Sequence, residues 1–238
     1  MTRSGVRDGR IWPLFPLAAA AILFVFVIGQ AIRHDYRRSD ILSTAAQSPA
    51  SAAAAIAERF GAGTAVCHPT GPTDDLDNLI SALFALERFG VSPFETTAEA
   101  LAVRVSGWLG LTPPDFSYGP GQIRLSRALS LAAVADDPAG WKTQVATASK
   151  LLEPCAARGV ARRLIRQARH RRQGELDAEG ALDHGELDRL AAIYNAQDAP
   201  TDGKAALAHH LFNRIAYHLT LHYRYENTPD GAASRDRR

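Results

Sequence analysis

Twenty-two consecutive residues without a charge, Ile11 to Ile32, set the first limit on this chain, because their centre, Leu17 to Ile28, is wholly apolar. A helix of that length crosses the roughly 30 Å hydrocarbon core of a bilayer. Arg3, Arg7 and Arg10 precede it against Asp8 alone, which favours a cytoplasmic N-terminus over 1–10 and an exported remainder. Arg33, Arg37 and Arg38 on the other flank keep that bias small. Gly29-Gln30-Ala31 also offers small residues for signal cleavage. The segment 11–32 therefore reads as a single-pass inner-membrane anchor, with a removed signal peptide and release to the periplasm as the alternative. The anchor is preferred because the run is longer than most signal cores.

Residues 33–56 are rich in Ser, Ala and Gln around Pro49, a composition that suits a tether. The globular part is placed at 57–227, about 170 residues and one domain, with 228–238 as a disordered tail. No stretch alternates Val or Ile long enough to argue for a sheet, whereas apolar residues recur at helical spacing in several windows. The predicted class is all-α. The clearest helix is Thr73 to Phe89, opened by Asp74 and Asp75, closed by Gly90, and striped with Leu76, Leu79, Ile80, Leu83 and Leu86. Others are predicted over Thr97 to Leu109, Gln122 to Ala135, Ala139 to Leu152, Ala156 to Arg172, Glu186 to Tyr194 and Lys204 to Tyr225. Cys67 and Cys155 form either an exported disulfide or two buried thiols, since sequence gives no distance between them.

Glu87 continues the stripe of Leu76, Ile80 and Leu83, which puts a carboxyl on an apolar face at the negative end of a helix. Both surroundings disfavour the charged form, as a general acid requires. Two downstream segments add to it. Ser117-Tyr118-Gly119-Pro120-Gly121-Gln122-Ile123 reads as a tight turn that delivers Gln122 and Ile123 into a helix, with glycines for close backbone approach and an amide for sugar hydroxyls. Ala192-Ile193-Tyr194-Asn195 falls at a helix end.

Glu at a helix end, then Ser-x-Gly-x-x-Gln-Ile, then Ala-x-Tyr-Asn resembles the soluble lytic transglycosylases and goose-type lysozymes of the lysozyme-like superfamily, over roughly Leu76 to Asn195. The resemblance implies a lysozyme-like helical domain that cleaves the bond between N-acetylmuramic acid and N-acetylglucosamine in peptidoglycan. One Glu, matched by Glu87, serves as acid and then base while the muramyl 6-hydroxyl closes an anhydro ring. Ser117, Tyr118, Gly119, Gln122 and Ile123 match the turn along the glycan, and Tyr194 matches the tyrosine that hydrogen-bonds the acid, with Asn195 beside it. Arg88 stands where the family usually has Ser, and Ala196-Gln197 where a Gly usually follows Tyr-Asn. A goose-type hydrolase and a non-catalytic wall-binding scaffold are the alternatives. Glu95 and Glu99, at a helix start, read as capping or solvated acids. Glycan strands and the membrane are the expected partners, and no nucleic acid.

Three other patterns carry less. Glu175, Asp177, Glu179, Gly180 and Glu186 follow a calcium loop in part, but the first ligand position is Glu rather than Asp, and an acidic loop capping the next helix is the plainer reading. No cofactor is otherwise expected. His218, His222 and Glu226 share one helix face but lack the known zinc-helix pattern. The basic run Arg158 to Arg172 has no interleaved aromatic residue and reads as a solvated face.

Overall fold

The computed structural model describes residues 40–41, 43–60, 67, 74–132, 140–173, 182–195 and 203–226. The apolar segment 11–32 and the tail 228–238 lie outside them, and among the described residues no helix is long and apolar enough to cross a membrane. Of the described residues, 83% are helical, so the class is all-α.

Helix begins at once. Residues 40–41 and 43–47 are helical, and Ala45 among them is fully buried. Ser48 then caps α1 (Pro49–Phe60), its hydroxyl accepting from the Ser51 N–H at 3.2 Å, with Pro49 at the first helical position where a missing N–H costs nothing. Pro49, Ala52, Ala53, Ile56 and Ala57 bury one face of α1. The expectation of a tether over 33–56 is therefore corrected: the folded part starts at least as early as Asp40. Alanine buries little surface, but it loses no side-chain entropy on ordering and is the best helix former. Such a helix is stable once a partner covers it, and α8 (Gly203–Glu226) does.

The centre of the fold is α2 (Asp75–Gly90), capped by Asp74 Oδ1 on the Asp77 N–H at 2.7 Å. Its whole length from Leu76 to Leu86 is buried, not one stripe of it. The reason is that α1 and α8 pack on it together with α6 (Pro154–Gln173) and α7 (His184–Asn195). Between α2 and the hairpin runs α3 (Pro93–Leu109), which starts four residues before the predicted Thr97 because Ser92 and Glu95 close a capping box: Ser92 Oγ accepts from the Glu95 N–H, and the Ser92 N–H donates to Glu95 Oε2 at 2.6 Å. After the hairpin come α4 (Leu125–Ala132) and α5 (Trp141–Leu152).

The basic run is not a solvated face. Arg158, Arg162 and Arg169 turn inward from α6. Arg158 donates to Ser81 Oγ and to the Asp77 carbonyl, Arg162 bridges Asp77 and Asp74 at 2.5 Å each, and Arg169 meets Glu186 of α7 at 2.6 Å. Arg163 and Arg166, between them, are exposed as expected. Burial alone would raise the Asp77 carboxyl, but the Arg162 hydrogen bond and the Arg162 and Arg158 charges together hold it below its ordinary value. A depressed carboxyl stabilises the fold above its unfolded value, and that contribution is lost as pH falls through the folded one. Asp77→Asn should lower stability at neutral pH by about 3 kcal/mol, since it leaves the largely buried Arg158 without its anion and Arg162 with Asp74 alone, and should flatten the acid limb of thermal midpoint against pH. A midpoint equal to the parent's at pH 7 would contradict this.

Cys67 and Cys155 are joined, with Cα atoms 5.2 Å apart, tying the segment between α1 and α2 to the start of α6.

Candidate active site

The chain leaves α3 through Gly110 at φ 68 and enters a two-stranded hairpin, β1 (Ser117–Tyr118) and β2 (Ile123–Arg124), around the turn 119–122. The predicted helix from Gln122 is corrected here: Ile123 and Arg124 pair with β1, and α4 begins at Leu125. Antiparallel pairing sets Tyr118 opposite Ile123 and Ser117 opposite Arg124. Because strand side chains alternate faces, Tyr118 and Ile123 both point inward and are fully buried, while Ser117 and Arg124 remain half-exposed. Tyr118 also gives its hydroxyl proton to the Pro114 carbonyl at 2.8 Å. Tyr118 and Ile123, expected along the glycan, are thus core residues that hold the turn up from beneath.

The glycines of the turn do allow close approach, but to the protein itself. Gly119, at φ 72, lies so near α5 that a Cβ there would stand 1.8 Å from the Leu151 carbonyl oxygen. A Cβ on Gly121 would stand 2.6 Å from the Phe84 ring and 2.9 Å from the Tyr194 hydroxyl. Gly121 therefore lets the turn settle onto α2 and onto the end of α7.

That end is pinned at two points. The Tyr194 hydroxyl, fully buried, donates a short hydrogen bond to the Gly121 carbonyl. Arg127 of α4 donates to the Ile193 and Tyr194 carbonyls at 3.1 and 3.2 Å, placing a cation on the negative terminus of α7. Burial first, and the Glu87 carboxylate second, hold the Tyr194 phenol well above its ordinary value, with Arg127 opposing. Tyr194 is consequently a neutral donor within the field of Glu87. Glu87 sits half-buried in the last turn of α2, and Arg88 after it is exposed. The three motifs, far apart in sequence, meet here. Asn195 closes α7, and its side chain lies outside the described residues.

Glu95 is the cap that the sequence suggested, but Glu99 is neither a cap nor solvated. It is only 8% exposed and accepts the Gly119 N–H on Oε2 and the Gln122 Nε2–H on Oε1, each at 2.9 Å. Nothing in the helical pattern singled it out, because α3 is turned against its own amphipathy. Leu101 and Val105 face solvent, Trp108 is 84% exposed, and Glu99, Val103 and Ser106 face inward. A sequence signal did exist: the turn needs an acceptor for a buried Gly N–H, and Glu99 is the carboxylate on the inner side of the neighbouring helix.

Glu175, Asp177 and Glu179 of the calcium pattern lie outside the described residues, and Glu186 is engaged by Arg169. Among the described residues no group of three or more His, Cys, Asp or Glu side chains is arranged to hold a metal. His218 meets the Tyr217 ring edge-on, and Tyr217 in turn packs at a tilt against His184. Comparison with protein-family models, with curated proteins and with solved structures yields no match.

Proposed function

We propose that this chain is a lysozyme-like peptidoglycan lytic transglycosylase, held on the periplasmic side of the inner membrane by 11–32. The observation that carries the reading is the hydrogen bond that joins the Gly121 turn to the buried Tyr194 phenol, which is held neutral by burial and by the charge of the half-buried Glu87 carboxyl. Protonated Glu87 gives its proton to the glycosidic oxygen as the bond from muramyl C1 breaks. The 6-hydroxyl oxygen of the same sugar closes on C1, and its proton passes to the Glu87 carboxylate. One carboxyl gives and regains one proton, and water takes no part.

Glycosidases that use water or a covalent intermediate generally need a second carboxylate. Glu99 is committed to Gly119 and Gln122, and Glu95 to its helix cap. An intramolecular nucleophile removes the need for either. The test is product identity: the purified chain incubated with peptidoglycan should release 1,6-anhydro-muropeptides. Reducing ends would replace the reading with a goose-type hydrolase. Binding to peptidoglycan without products would replace it with a scaffold.

A further inference from the structure

We propose that Glu99 is a positioning residue that fixes which way the Gln122 carboxamide points, so that Gln122 meets a sugar with its carbonyl oxygen; this rests on the glycan-cleaving reading above. A carboxamide has two ends of nearly equal shape, one a double donor and one an acceptor. The end of Gln122 that faces the protein lies 2.9 Å from Glu99 Oε1 and 3.0 Å from the Gly119 carbonyl oxygen. Both are acceptors, so only the NH2 end fits, and both of its protons are used. The reversed amide would set its oxygen against a carboxylate and a carbonyl. The Gln122 oxygen is therefore turned away from Glu99 and from Gly119, on a side chain that is half-exposed.

Glu99 holds the backbone of the turn as well, through the Gly119 N–H. Gln122 itself stands at φ 46, a conformation that a residue with a side chain keeps only where its surroundings over-determine it. Two bonds from one carboxylate, with the Gly119 carbonyl accepting from both the Gln122 backbone N–H and its Nε2, supply that determination.

The clamp needs Glu99 ionised, because a protonated carboxyl would present a donor to one of two donors. Burial raises the Glu99 carboxyl above its ordinary value, the Gln122 and Gly119 hydrogen bonds oppose this, and the Glu95 charge adds to it. From β1 the Tyr118 phenol faces Glu99 and is itself pushed up to about 12 by burial, by Glu99 and by Asp115. From α5, packed on α3, Lys142 and Lys150 are both exposed. Acidification through the raised Glu99 value should therefore release the amide before ordinary surface carboxylates titrate.

The experiment uses the full chain in detergent micelles, labelled with 15N at glutamine and 13C at the glutamate carboxyl carbons, and the N-acetylglucosamine tetramer as probe. In the unmodified chain the Gln122 side-chain amide signals should shift with the same midpoint as the Glu99 carboxyl carbon. Glu99→Gln should weaken tetramer binding about tenfold, the worth of one correctly turned acceptor, and Gln122→Glu, which sets two carboxylates together, should weaken it more. The exchanged pair E99Q/Q122E should recover part of the Gln122→Glu loss, because residue 99 then donates where it formerly accepted, although the Gly119 carbonyl then meets a carboxylate oxygen in place of its donor. Additive losses in the double variant, an amide signal that does not follow Glu99, or no tetramer binding by the parent at millimolar concentration would each overturn the assignment. Recovery on exchange without any cleavage of peptidoglycan would leave Glu99 in its role and end the transglycosylase reading alone.

Discussion

Glu87→Gln should lower release of anhydro-muropeptides at least about 10³-fold, close to 4 kcal/mol of barrier, while tetramer binding changes little. The loss is large because the same carboxyl performs both proton transfers: an amide can neither protonate the leaving oxygen nor take the 6-hydroxyl proton. Its near-identical shape and the half-buried position of Glu87 at the end of α2 predict an unchanged thermal midpoint. That separates the chemical role from a structural one. A variant that still made anhydro products within tenfold of the parent rate would remove Glu87 from the mechanism, whatever the products of the parent.

The second large effect is on stability. Opening the Cys67 to Cys155 bond, by reduction or by Cys67→Ser with Cys155→Ser, should cost roughly 4–5 kcal/mol in the chain-entropy account, because the two cysteines are 88 residues apart and the unfolded chain regains a long loop. That is a large share of the 5–15 kcal/mol that holds an ordinary domain. Denaturant titration with and without reductant measures it directly. A midpoint that does not move on reduction, with the thiols shown to be free, would contradict the expectation. The bond encloses all of α2 to α5, so its loss should also loosen the turn that Gly119 lays against Leu151.

Glu87 on the last turn of an apolar helix, a Gly-rich turn and Tyr194 at a helix end were all legible in sequence. Caps, glycines and helical spacing are local instructions, written within a few residues of where they act. The Asp74 cap on α2 is of this kind. So is the start of α3, where the Ser92 and Glu95 box opens the helix ahead of Thr97. The alanine-rich stretch before Ala57 misled for a different reason. Its composition has no core of its own, and its burial against α8 depends on a helix some 150 residues later in the chain.

The site divides in the same way. Sequence supplied the residue types and their order: an acid, a glycine turn with an amide, and a tyrosine. Tertiary structure decided which of them touch one another and which touch nothing but the core. Tyr118 and Ile123 went inward because the hairpin register put them there. Glu99 became the clamp of the turn because α3 is rolled so that Leu101, Val105 and Trp108 meet solvent. Arg158, Arg162 and Arg169 were drawn into the interior by Asp77, Asp74 and Glu186. A buried charge or polar group is tolerated only where a partner waits for it, and whether one waits is a matter of long-range packing. Periodicity determined from sequence alone that this chain would be helical and roughly where most of its helices would run, but not α1, whose buried face depends on α8, nor the hairpin that pairs Ile123 and Arg124 with β1. Which face each helix turns to its neighbours was settled by the pairing of polar groups across the assembled fold.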